Sequence, residues 1–240
     1  MKTKIYTILP ALLFVSFAIL LGGCDDYITG SGKVITEERD AEPFHSIEVS
    51  GSFKIYLSQD EEHSLTLEAD DNLMQYVESS VRNGKLYLST KGIGFRNLQL
   101  AAYITAPDLD QIKASGAVSI ITEAPVDYPR LKIEASGAAK MDLELYSQKT
   151  EIVMSGAGKA YLSGECEEAY FRISGAANLN ADKFYCRLVD VRISGAGKAK
   201  VNVEDDLTAK ISGAGDISYR GNPSTINQSI SGAGKIRQIK

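Results

Sequence analysis

The sequence predicts an all-β fold, a single-stranded right-handed parallel β-helix with coils of about 19 residues. Three observations carry that expectation. The tripeptide Ser-Gly-Ala recurs seven times, beginning at Ser115, Ser136, Ser155, Ser174, Ser194, Ser212 and Ser231, at intervals of 21, 19, 19, 20, 18 and 19 residues. A fixed period of this size marks a solenoid. Apolar residues stand one place before every serine, Ile230 in the last copy, and three places before all but the last, where Gln228 stands, with mostly polar residues between: Ile133 and Ala135, Ile152 and Met154, Phe171 and Ile173, Val191 and Ile193. Downstream the alternation resumes, with Ile120, Met141, Ala160, Leu179, Ala199, Ile217 and Ile236 five places past the serine. Period two means a strand with one buried face. Coils should stack about 4.8 Å apart, and the right hand follows from the strong preference of parallel crossovers.

Each repeat position has a physical role. Glycine tolerates the positive φ or close backbone approach that a corner needs, and alanine leaves room beside it. The serine hydroxyls should form a ladder that satisfies backbone groups of the turn. Rival folds fit less well. A propeller blade needs about 40 residues, and leucine-rich repeats carry a Leu/Asn signature that this sequence lacks.

From the N-terminus, Met1–Gly23 reads as a secretory signal: Lys2 and Lys4, then an apolar run from Ile5 to Leu21. Leu21-Gly22-Gly23-Cys24 resembles a lipobox, which makes Cys24 the expected lipidation site. The alternative is an uncleaved membrane anchor of borderline length. Asp25 to about Glu42 is polar and reads as a tether. From Pro43 to Lys240 one continuous domain is expected, less regular to about residue 110 and regular from 111 to 240. In its first part Ser50-Gly51-Ser52 reads as a degenerate early repeat. Asp71 should cap a short helix over Asn72–Ser80, and Asn83-Gly84 signals a hairpin before Leu86-Tyr87-Leu88.

Removing Met1–Gly23 takes away two lysines and leaves 24 basic against 31 acidic residues, a formal charge of −7. That balance argues against nucleic acid as a partner. With two histidines and no tryptophan, little material exists for a histidine-based metal site or base, and no metal or cofactor is expected.

The lipobox, Phe44–Gly51, Leu86-Tyr87-Leu88 and the serial Ser-Gly-Ala turns together resemble the head GIN domain family of auto-transporter adhesins, over essentially all of Pro43–Lys240. The resemblance implies a β-helix lipoprotein of the cell envelope with an adhesive role. The chain ends at Lys240 without a barrel-like translocator, so self-export is not expected.

Gly-Ala-Gly-Lys does not make a phosphate loop. The pattern needs a glycine five places earlier and Ser or Thr afterwards, whereas the earlier positions hold Val153, Arg192 and Ser229. A charge pattern is more informative. Four places past the serine stand Lys140, Lys159, Lys198 and Lys235, diluted by Asn178 and Asp216; across the same corner stand Arg172, Arg192 and Lys210. Either this is a solvated face, or it is an anion-reading stripe for acidic glycans or phosphorylated headgroups. Glu165, Glu167 and Glu168 with Glu204, Asp205 and Asp206 are a solvated turn or a calcium-binding cluster. Cys166 and Cys186 both lie eight places before a serine, hence in adjacent coils at a spacing that permits a disulfide. No carboxylate pair or nucleophile stands out, so no enzyme is expected. The function read from the sequence is a monomeric, lipid-anchored envelope binding module for glycan or matrix. The alternatives are a structural envelope component with a protein partner and a polysaccharide-active β-helix enzyme.

Overall fold

The computed structural model describes residues 27–92, 94–96 and 99–240; the expected signal peptide and Cys24 lie outside them. The first strands are β1 (Tyr27–Thr29), β2 (Val34–Arg39), β3 (Ser46–Ser58), β4 (Ser64–Asp70), β5 (Val77–Arg82), β6 (Lys85–Thr90), β7 (Gly94–Arg96) and β8 (Leu100–Thr105). The regular coils follow as β9 (Gln111–Thr122), β10 (Val126–Asp127), β11 (Arg130–Gly137), β12 (Lys140–Gly156), β13 (Lys159–Gly175), β14 (Asn178–Gly195) and β15 (Lys198–Gly213). The last are β16 (Asp216–Arg220), β17 (Thr225–Gly232) and β18 (Lys235–Gln238).

Successive coils pair in parallel and in register, so every serine of the repeat faces the next: Ser115, Ser136, Ser155, Ser174, Ser194, Ser212 and Ser231 form one column. The result is a β-solenoid of about seven turns. Its core is the set of inward columns that the alternation picks out. Ile133, Ile152, Phe171, Val191 and Ala209 stack in one, and Met141, Ala160, Leu179, Ala199 and Ile217 in another, each no more than 3% exposed.

The corner glycine is required twice over. Gly175 has φ +116°, and a Cβ there would lie 2.5 Å from the carbonyl oxygen of Gly156 in the preceding coil. The other turn glycines repeat that contact down the column. Turn amides are satisfied by backbone: Ala157 donates to Gly137 O and Ala176 to Gly156 O, both at 3.0 Å. The expected role of the serines is therefore corrected. Among the described residues, only Ser115 and Ser136 of the column donate, weakly, to Val49 O at 3.4 Å and Ala114 O at 3.5 Å. The other five are exposed, and the turn amides are held by backbone instead.

Ser50-Gly51 in β3 stacks on Ser115-Gly116, so the degenerate repeat is a genuine coil despite the 65-residue separation. The intervening chain caps the solenoid. β6 and β8 supply the rung beneath β3; then β5 adds antiparallel to β6, β4 to β8, and β2 to β4. Antiparallel strands cover what would otherwise be an open parallel edge. Two expectations change here. The segment read as a tether to Glu42 contains β2, held by β4 and packing Ile35 against the core. The helix over Asn72–Ser80 is replaced by a single 3-10 turn, Met74–Tyr76, and then by β5. The hairpin at Asn83-Gly84, with φ of 51° and 68°, pairs β5 with β6 and overrides local helix propensity. At the opposite end, β17 has no strand on its outer edge among the described residues. Ile230, expected in the core, is accordingly 46% exposed.

Candidate functional site

The Ser-Gly-Ala corner separates two outward faces. On the downstream face Lys140, Lys159, Asn178, Lys198, Asp216 and Lys235 are successive register partners. Ser119 and Lys54 extend the same column toward the cap. Lys140, Lys159, Lys198 and Lys235 are exposed, and none makes an ion pair among the described residues. Lys200 and Arg237 lie two places along their strands on the same face. At the 4.8 Å rung spacing two unit charges repel by about 0.9 kcal/mol in water. Adjacent lysines such as Lys140 and Lys159 therefore keep an uncompensated positive charge on an acidic protein.

Arg172, Arg192 and Lys210 also form a column, on the other side of the corner, but its electrostatics differ. Arg192 makes a bidentate pair with Asp190, Nε to Oδ1 at 2.8 Å and Nη2 to Oδ2 at 2.6 Å, while Arg172 Nη1 lies 3.8 Å from Asp190 Oδ1. Donating to the Asp190 carboxylate pushes the Arg192 guanidinium further up. Further along, Lys132 binds Glu134 at 2.8 Å, which holds the Glu134 carboxyl below its ordinary value; Lys113 approaches Glu134 at 3.6 Å and Lys132 reaches Glu151 at 3.9 Å. The single basic stripe expected from sequence is thus two columns, one open and one largely neutralised. Lys210 makes no ion pair among the described residues, and with Arg172 and Arg192 it edges a 550 Å³ recess floored by Ile173, Ile193 and Ile211.

The short third side carries the acidic residues. Arg187 sits between Glu167 (3.2 Å) and Asp205 (3.0 Å), so an arginine supplies the positive charge where a cation was considered. Cys166 and Cys186 are register partners, both buried, with free thiols. Hydrogen bonds from Cys186, then from Ser147 and Thr150, outweigh burial and lower Cys166, whereas the bond to Cys166 and burial raise Cys186. If either thiol ionises it is Cys166.

Sequence reasoning missed a column on this side. Asp127, Tyr146, Glu165, Tyr185 and Asn202 are successive partners. Tyr146 is 39% and Tyr185 62% exposed, beside a groove of about 950 Å³. The first four stand nine places before a repeat serine, a spacing that would have revealed them.

The fold has solved relatives. A "putative adhesin" from Bacteroides fragilis is 27% identical, covering 88% of this chain and 100% of that one, with a TM-score of 0.85. A "putative adhesin" from Parabacteroides merdae is 26% identical over 90% and 100%, with a TM-score of 0.70. A "putative lipid binding protein" from Parabacteroides distasonis is 25% identical over 89% and 100%, with a TM-score of 0.72. No curated protein matches the chain. Residues 43–223 match the family described as "putative auto-transporter adhesin, head GIN domain", and the chain belongs to that family.

Proposed function

We propose that the protein is a monomeric, non-enzymatic adhesion module of the cell envelope, anchored through lipid on Cys24, whose lysine column grips an acidic glycan. The observation that carries this reading is the column Lys140, Lys159, Lys198 and Lys235, exposed and without an ion pair among the described residues, on a protein of net negative charge. A straight column of cations one to two rungs apart suits a linear polyanion, and its attraction weakens with salt. An anionic lipid headgroup shares that chemistry, and the lipid-binding description of the Parabacteroides distasonis relative favours testing it as a second source.

Immobilised acidic glycans and vesicles with and without anionic lipid, probed with the full chain at low and high salt, test the reading. Salt-sensitive capture by acidic glycans supports it. Capture only by anionic vesicles moves the ligand to lipid, and silence on both removes the column from consideration. Anchoring has its own check: Cys24→Ala should release the protein from the membrane fraction. In an oxidising envelope, loss of two electrons and two protons to the resident thiol oxidants should join Cys166 to Cys186. Thiol titration of the denatured, unreduced protein then finds neither cysteine free.

A further inference from the structure

We infer that the groove on the short side of the solenoid is a second binding site, one for a neutral, hydroxyl-rich glycan, built on Tyr146 and Tyr185. The inference does not rest on the lysine column, which lies on another face. Between the two tyrosines stands Glu165, in the same outward column, so the rings are two rungs apart, about 9.6 Å along the stacking axis. A β-linked disaccharide repeat spans a comparable length, so alternate sugar rings of an extended chain can lie on the two tyrosines, with the ring between them over Glu165.

The chemistry around the rings selects the ligand. The C–H face of a pyranose packs on an aromatic ring, which presents apolar area with little conformational freedom to lose. Sugar hydroxyls then need acceptors and amides at the groove wall. Glu165 and Glu204 line the groove and make no hydrogen bond or ion pair among the described residues, and Gln148 contributes a free side-chain amide. Arg187 is occupied on both sides by Glu167 and Asp205. The groove is therefore acidic, and a polyanion is excluded by the same electrostatics that favour it on the lysine face. An added peptide strand is disfavoured because the central strands β12, β13 and β14 are already paired on both edges. That leaves side-chain recognition of hydroxyls and ring faces.

The walls are preorganised. Gly164, with φ +109° and a Cβ position 2.2 Å from Leu145 O, makes the corner that turns the chain into this side. Arg187 is pinned between its two carboxylates. Binding therefore costs little backbone reordering.

Calorimetry of the full chain with neutral hexasaccharides of glucose, mannose, xylose and N-acetylglucosamine, with heparin and oligolysine as charged controls, tests the site. At least one neutral hexasaccharide should bind with an affinity insensitive to salt. Tyr185→Ala or Tyr146→Ala should weaken it about three- to tenfold, the range for losing one aromatic contact, and Tyr185→Phe should retain most of it. Lys159→Glu with Lys198→Glu should leave it unchanged, which separates this site from the lysine face. No binding to any of the four, binding indifferent to both tyrosine truncations, or preference for oligolysine over every neutral sugar overturns the inference.

Discussion

The two faces that flank the Ser-Gly-Ala corner are built from the same repeat and end in opposite electrostatic states. Upstream of the serine, bases and acids share a face two residues apart, as Lys132 with Glu134 and Asp190 with Arg192, and the cross-coil register completes the pairs. Downstream, the lysines stack on lysine, asparagine or aspartate and make no ion pair. In a stacked solenoid, one substituted column therefore sets the charge of a whole face. The backbone that carries both faces is the same.

The largest effect should come from breaking that shared backbone. Gly175→Ala places a Cβ against Gly156 O at φ +116°, and we expect a loss of at least about 2–3 kcal/mol, seen as a lower urea midpoint, with both faces disturbed. Next, Asp190→Asn removes the carboxylate between Arg172 and Arg192. Asp190 is only 18% exposed, so about 1 kcal/mol of stability should be lost, and the upstream face should gain affinity for polyanions. Lys159→Glu with Lys198→Glu should change stability within about 0.5 kcal/mol yet abolish the downstream face's attraction for anions.

The smallest effect concerns pH. Because Lys132 lowers the folded value of Glu134, its contribution is fully present above the unfolded carboxylate range and is lost as pH falls through the folded value. Glu134→Gln should therefore flatten the acid limb of stability slightly, measured by urea unfolding at successive pH values. An unchanged limb would place the pair among those worth nothing measurable.

Much of this was legible in the sequence, and the boundary of legibility has a physical cause. The repeat columns close to the serine were readable because the corner glycine locks the register: Phe171 with Val191, Lys140 with Lys159, Cys166 with Cys186 all fall where spacing puts them. Coil length varies from 18 to 21 residues, and the difference is absorbed by irregularities between Tyr161 and Ser163, Ala181 and Tyr185, and Cys186 and Leu188. Columns counted far downstream of a serine therefore drift, and those counted upstream hold. Counting the acidic residues downstream hid Arg187, which lies seven places before Ser194 as Glu167 does before Ser174 and Asp205 before Ser212. Tyr146 and Tyr185 were missed for the same reason. The cap was illegible in another way. Its order depends on antiparallel pairing across distances such as Val34 to Asp70, which no repeat announces, and the expected helix yielded to a hairpin partner that local propensity does not see.

On the proposed function, the unpaired lysine column, rather than basic residues in general, binds the acidic ligand. The most direct test is the affinity of the full chain for heparin as a function of salt, measured for the native sequence and for Lys159→Glu with Lys198→Glu. Binding should be salt-sensitive and fall at least about tenfold, a difference of about 1.4 kcal/mol, in the double variant. Equal affinity and equal salt dependence in the two proteins would contradict it.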